Sequence, residues 1–133
     1  IGYETSLMLA RNGFLTYATM RNTNKAENIK SVATKERLPI HVKQLDVTDD
    51  VSVMTAIDAI SSETGGRIDV LVNNAGYGLN GAFEDLSMDE IKAQYETNVF
   101  GYTSKSVVLK ASATMLAKGS KSLKMANASI SVL

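Results

Sequence analysis

Cysteine is absent from the 133 residues. That excludes disulfides, thiolate zinc sites and cysteine nucleophiles, and it fits a reducing compartment, so a cytoplasmic location is expected. Net charge is absent as well: 14 basic and 14 acidic residues cancel, and no block of one sign occurs. Without a basic field the chain has no electrostatic means of recruiting nucleic acid or an acidic membrane, and it carries no charged interaction tail. No apolar run reaches the ~20 residues that a helix needs to span a bilayer. The one histidine, His41, falls in a strand-like stretch and reads as a partly buried structural residue, so no metal site is expected. Methionine is missing from the front, where Ile1-Gly2-Tyr3-Glu4 has no signal-peptide character and reads as the continuation of a motif.

What is present suits one domain over residues 1–133. Hydrophobic residues make up 44% of it, and a chain of this length buries roughly two-thirds of its unfolded surface. Residues 2–12 suit a helix with Tyr3, Leu7 and Ala10 on one face, widened by Met8, and Gly13 stops it. Residues 14–19 are aromatic and β-branched and read as a buried strand. A polar helix over 24–36 turns Ala26, Ile29 and Ala33 inward. Pro39 marks a turn before a strand at 40–45. Thr48-Asp49-Asp50 caps a helix striped by Val53, Ile57 and Ile60, with Met54 beside it, and Gly65-Gly66 ends it. A strand at 68–72 leads into a Gly-rich loop. Ser87-Met88-Asp89-Glu90 has capping-box spacing and opens a helix with Met88, Ile91, Tyr95 and Val99 at helical intervals. A helix over 104–117 and a strand over 124–132 complete the pattern. Alternating strands and helices imply parallel βαβ units: an α/β, doubly wound sheet whose ligands bind beyond the carboxyl ends of the strands.

The strongest chemical signal is Asn73-Asn74-Ala75-Gly76, directly after the strand at 68–72. Glycine behind a small residue lets main chain approach a flat or charged ligand closely, and asparagine amides tie neighbouring segments together by donating and accepting. The same residues also make an ordinary turn, and composition leaves both readings open. Gly76-Tyr77-Gly78-Leu79-Asn80-Gly81 matches G-x-G-x-x-G, with Glu96 further on. A dinucleotide fingerprint, however, opens a helix at once and places its acid after a second strand. Here the next helix waits until Ser87 and contains Glu96, so the match is set aside.

The run Gly66-Arg67-Ile68-Asp69-Val70-Leu71-Val72-Asn73-Asn74-Ala75-Gly76 resembles the short-chain dehydrogenase/reductase family. Ile1-Gly2 resembles the end of that family's Thr-Gly-x-x-x-Gly-Ile-Gly nucleotide-binding turn, Asp46-Val47 its adenine-contacting pair, and Asn98-Val99-Phe100-Gly101 its Asn-bearing helix segment. The resemblance spans nearly all of residues 1–101. It implies a Rossmann-like parallel sheet, here incomplete, with the first strand and the strand bearing the catalytic Ser missing. It implies a cofactor site in which Ile1 and Gly2 hold the pyrophosphate at a helix N-terminus. Asp46 and Val47 would meet the adenine, and Asn73, Ala75 and Gly76 would present main chain to the ribose and nicotinamide. Arg21, with no acid nearby, would favour the 2′-phosphate of NADP(H) over NAD(H). Plainer roles stand beside these: Asp46 as a helix-flanking acid, Arg21 as a surface cation, Asn98 as a polar residue tolerated in mid-helix.

The resemblance implies hydride transfer between the nicotinamide and a small-molecule alcohol or carbonyl, through a relay of Asn, Ser, Tyr and Lys. Asn98 holds a proton-relay water in that scheme. Tyr102 is the acid or base, and Lys105 lowers its pKa from the ordinary ~10. The family separates Asn and Tyr by a long segment that includes the Ser. Here Tyr102 comes four residues after Asn98, and the spacing is Tyr-x-x-Lys instead of Tyr-x-x-x-Lys. At ~100° per residue that turns Lys105 a quarter-turn around the helix. Residues 102–118 nevertheless resemble the family's Tyr helix, and 124–131 the strand after it, so an internal deletion is expected. Tyr102 is otherwise simply part of the Asn98 helix. Three readings follow: an oxidoreductase, a non-catalytic nucleotide-binding remnant, and a fragment that does not fold alone. The run Tyr77-Gly78-Leu79-Asn80-Gly81-Ala82-Phe83 is similar to members acting on hydrophobic alcohols such as retinoids or steroids. Homo-oligomers are common in the family.

Overall fold

A computed structural model describes residues 1–101 and 129–132. Tyr102, Lys105, the helix expected over 104–117 and the first residues of the last expected strand, 124–128, lie outside the described residues.

Helix α1 (Gly2–Arg11) opens the chain and ends ahead of Gly13, whose φ of 85° suits glycine. Its buried stripe is Ser6, Leu7 and Ala10. Tyr3 and Met8, expected on that stripe, are 40% and 58% exposed. Ser6 takes the inward place because its hydroxyl donates to the Gly2 carbonyl at 2.8 Å, which satisfies its polarity within the helix. Strand β1 (Leu15–Met20) follows. The helix expected over 24–36 divides into a 3-10 turn, Thr23–Ala26, and α2 (Glu27–Glu36). The Asn22 side chain accepts from the Asn24 N–H at 3.0 Å and holds the tighter first turn. Ala26, Ile29 and Ala33 are buried, as their spacing predicts.

Strand β2 (Ile40–Gln44) leads to α3 (Asp50–Glu63). Asp49 caps α3 by accepting from the Val51 and Ser52 N–H groups at 2.9 and 3.3 Å. Val53 and Ile60, each 1% exposed, contribute about 1.5–3 kcal/mol apiece by burial. Strand β3 is Val70–Val72 and not the whole of 68–72; Ile68, ahead of it, packs against the α3 cluster. Helix α4 (Met88–Tyr95) begins at the expected capping box: the Ser87 N–H donates to Glu90 Oε2 at 2.9 Å and the Glu90 N–H to Ser87 Oγ at 3.2 Å. Its apolar stripe is not covered by the described residues, since Met88, Tyr95 and Val99 are 61%, 54% and 44% exposed.

The sheet is parallel, in the order β2-β1-β4-β3, with β4 being Ser129–Val132. The last strand therefore runs through the middle. Leu15 pairs with Ser129 on one side and Val72 with Val132 on the other. The sequence reading expects a gap at the missing first strand; β4 spans the interval between β1 and β3 instead. Parallel pairing on both flanks satisfies main-chain groups that a gap would leave open.

Successive residues of a strand point to opposite faces, which places the helices. Ala18 joins Leu7, Ala26 and Ile29 in one cluster, whereas its neighbour Tyr17 meets Glu63 of α3. Helices α1 and α2 therefore cover one face and α3 the other, where Leu45, Val47, Val53, Ala56 and Ile57 pack with Leu71 and Ala75. The sheet is doubly wound, and the carboxyl ends of β1 and β3 open beside the N-terminus of α1.

Candidate functional site

Ile1 is the N-cap residue of α1, and its side chain forms no cap hydrogen bond. The Thr5 N–H is the first in the helix to find a helical acceptor, the Ile1 carbonyl at 3.0 Å. The N–H groups of Gly2, Tyr3 and Glu4 are thus the unsatisfied donors of the first turn, at the positive end of the helix dipole. Beside them lies a cleft of about 250 Å³. Gly2 and Tyr3 bound it on one side, Thr19 and Met20 at the end of β1 on another, and Lys25 and Asn28 on a third. Asn74, from the loop after β3, completes it. Free main-chain donors, amides and one cation suit a phosphorylated, hydroxyl-rich ligand. The volume is below the ~300–1,000 Å³ of complete ligand pockets, so it accommodates part of a dinucleotide.

Three segments meet behind this cleft. In the first, the Asp46 carboxylate accepts from the Thr48 N–H at 2.9 Å and the Thr48 hydroxyl at 2.8 Å, while the Asp46 N–H donates to Ser52 Oγ at 2.9 Å. Val47 is buried in the α3 cluster. In the second, Ala75 packs on that same cluster, and Asn73 and Gly76 are exposed. In the third, α4 widens into a π-helical turn, Glu96–Phe100, that carries Asn98. The Asn98 amide holds the second segment from both sides: its Nδ2 donates to the Tyr77 carbonyl at 2.8 Å, and its Oδ1 accepts from the Tyr77 N–H at 3.0 Å. Gln94 Nε2 donates to the same carbonyl at 3.3 Å. Gly101 closes the arrangement. A Cβ there would lie 3.1 Å from Val47 Cγ2 and 3.2 Å from the Val47 carbonyl oxygen, so the close approach favours glycine.

A family model described as short chain dehydrogenase matches residues 1–123. The chain belongs to the short-chain dehydrogenase/reductase family. This member is 40% identical over 102 residues to the uncharacterized oxidoreductase YusZ of Bacillus subtilis, covering 75% of this chain and 35% of that protein. It is 39% identical over 105 residues to bovine (Bos taurus) retinol dehydrogenase 8, covering 76% of this chain and 33% of the relative. The chain thus spans about a third of the length of these curated relatives. Among solved structures it is similar to the NADPH-bound F189W actinorhodin polyketide ketoreductase, with a TM-score of 0.79 at 22% identity over 89% of this chain and 45% of that one, a likeness of fold. It is also similar to a Burkholderia cenocepacia short chain dehydrogenase in complex with NADP, with a TM-score of 0.69 at 29% identity over 82% and 43%.

Of the residues singled out from sequence, Gly2 lines the cleft and Ile1 stands at its helix end. Asn98 is joined to the loop of Asn73, Ala75 and Gly76 through Tyr77. Asp46 and Val47 lie behind the cleft and are not among its lining residues. Arg21 is exposed on the bend after β1 and does not line it either. Lys25, Asn28 and Asn74 do line it, and the sequence reading did not give them site roles. Asn74 was legible as the second residue of the Asn-Asn-Ala-Gly run. Lys25 and Asn28 had no signal beyond their nearness to Arg21. Among the described residues no cluster of three or more His, Asp or Glu could hold a metal, and no helix is long and apolar enough to cross a membrane.

Proposed function

We propose that this chain forms the cofactor-binding part of an oxidoreductase that interconverts an alcohol and a carbonyl and prefers NADP(H) to NAD(H). The single observation that carries the reading is the cleft that brings Gly2, in the first turn of α1, together with Lys25 and with Asn74 from the loop after β3. Main-chain donors of Ile1 and Gly2 bind the pyrophosphate. Asp46 and the Val47 main chain meet the adenine, and Arg21 attracts the 2′-phosphate from the rim. Asn73, Ala75 and Gly76 present main chain to the ribose and nicotinamide, in a loop whose position Asn98 sets. When bound, the nicotinamide donates or accepts the hydride. Tyr102 gives or takes the proton at the substrate oxygen, with Lys105 favouring its phenolate form.

The substrate is a hydrophobic alcohol or carbonyl compound. Support comes from Tyr77 and Phe83, 43% and 76% exposed on the loop after β3, and from relatives named retinol dehydrogenase 8 and 3-ketodihydrosphingosine reductase. A second reading, nucleotide binding without turnover, is favoured by one observation: the Tyr102-Lys105 spacing departs from the family's by one residue. Both readings predict that NADP⁺ raises the melting temperature of the protein. Oxidation of NADPH in the presence of long-chain ketones or retinal distinguishes the enzyme from the binding remnant. No stabilisation by NADP⁺ overturns both.

A further inference from the structure

We infer that Asn80 is a site of spontaneous covalent modification: its side chain cyclises on the Gly81 main-chain nitrogen and opens to aspartate and isoaspartate, while the same dipeptide at Asn12-Gly13 is protected by the fold. Asn-Gly occurs twice in the sequence, at these two places. Glycine has no Cβ to keep its nitrogen away from the preceding side-chain amide, so the two sites share their local chemistry and differ in their folded surroundings. Cyclisation needs a side chain that is not tied down and a main-chain N–H that no acceptor holds. Asn12 meets neither condition. Its Nδ2 donates to the Met8 carbonyl at 2.8 Å, and the Gly13 N–H donates to the Ala10 carbonyl at 3.0 Å. A ψ of 13° also turns the Gly13 nitrogen away from the Asn12 side chain. Asn80 lies in the loop between β3 and the 3-10 turn Phe83–Asp85. Asn80 and Gly81 are both exposed, and among the described residues neither forms a hydrogen bond. The Asn80 amide rests beside Gly78, where a Cβ would stand 3.9 Å from its Oδ1 and 4.0 Å from its Nδ2; this is ordinary contact and not a clamp. The Gly81 nitrogen, its proton taken by hydroxide, attacks Asn80 Cγ. The N–Cγ bond forms, the Cγ–Nδ2 bond breaks, and ammonia leaves. Water then opens the ring at Cγ to give aspartate, or at the Asn80 main-chain carbonyl carbon to give isoaspartate. No cofactor or substrate takes part, so the reaction stands apart from the proposed function. Either product sets a carboxylate three residues ahead of Phe83, which is 76% exposed.

Peptide mapping by mass spectrometry tests this on the whole chain aged in warm, mildly alkaline buffer, with fragmentation that tells isoaspartate from aspartate. Conversion at Asn80 is expected to run about tenfold or more ahead of conversion at Asn12, because two hydrogen bonds must open at Asn12 and none at Asn80. The same chain aged in concentrated urea is the comparison. There the helix end that holds Asn12 is gone, and the two rates are expected to converge. Equal or faster conversion at Asn12 in the folded protein overturns the inference, and so does an Asn80 that stays intact. If Asn80 leads by the same factor in urea as in the native state, sequence and not the fold sets the difference, and the protection assigned to the end of α1 is refuted.

Discussion

Replacing Asn98 with alanine removes the one side chain among the described residues that holds the Tyr77 main chain from both sides. Two hydrogen bonds disappear, at 2.8 and 3.0 Å. Each is worth about 0.5–1.5 kcal/mol net. Tyr77 is 43% exposed, so water takes over part of the lost bonding, and Gln94 still reaches the Tyr77 carbonyl at 3.3 Å. The N–H loses its Asn98 acceptor altogether. A total near ~1 kcal/mol follows, at the low end of the range for two such bonds. Native-state hydrogen exchange reads this residue by residue. Protection of the Tyr77 amide is expected to fall about fivefold in Asn98→Ala, the factor that corresponds to ~1 kcal/mol, while amides of α3 stay as they were. Asn98→Asp separates the two bonds: it keeps an acceptor for the N–H but sets a carboxylate oxygen against the Tyr77 carbonyl, so Tyr77 keeps its protection while the loop shifts. Unchanged exchange at Tyr77 in Asn98→Ala would falsify the idea that this amide positions the loop.

Two further outcomes are expected. Gly101→Ala drives a methyl group to 3.2 Å from the Val47 carbonyl and 3.1 Å from its Cγ2; overpacking of this kind costs about 1–3 kcal/mol. In urea denaturation the midpoint should fall, and Val47→Ala should relieve only part of the loss because the carbonyl stays. Burial, and secondarily the Glu63 carboxylate beside it, push the Tyr17 hydroxyl above its ordinary 10.0. Its contribution to stability is therefore complete below about pH 10 and is lost as pH rises through the higher folded-state value. The hydrogen bond from Lys43, and then that from Tyr17, hold Glu63 below its ordinary 4.5, so its contribution is complete above that value and is lost on further acidification. Melting temperatures followed from pH 3 to 11 should decline at both ends, and Tyr17→Phe should flatten the alkaline decline and, by removing its hydrogen bond to Glu63, lessen the acid decline in part.

Much of this fold was legible in the sequence, wherever a local rule decided it. Asp49 and Ser87 cap their helices by chemistry that spacing reveals, and the inward stripes of α2 and α3 followed from periodicity. The doubly wound, parallel class followed from the alternation of elements. What was not legible depends on distant partners. Ser6 looked too polar for a core until its bond to the Gly2 carbonyl was seen. Met8 and Met88 belonged to apolar stripes by spacing, yet both are exposed. Strand order has no local signature, and nothing in Ser129-Ile130-Ser131-Val132 announced a central position. In the candidate site, Gly2, Asn98 and the Asn-Asn-Ala-Gly loop could be found by motif. Lys25 could not, because no motif marks which wall of a cleft a side chain occupies.

The central position of β4 has a consequence for how the molecule is made. Leu15 hydrogen-bonds beside Ser129, and Val72 beside Val132, so the middle of the sheet is joined only after nearly the whole described sequence has left the ribosome. Until then β1 exposes one unpaired edge, and β3, which pairs only with β4 in the described sheet, exposes both. Pairings this far apart along the chain carry a large loop-closure cost before they gain any contact, which slows folding and leaves open edges for other chains to join. A nascent chain of this kind depends on whatever protects those edges while it waits.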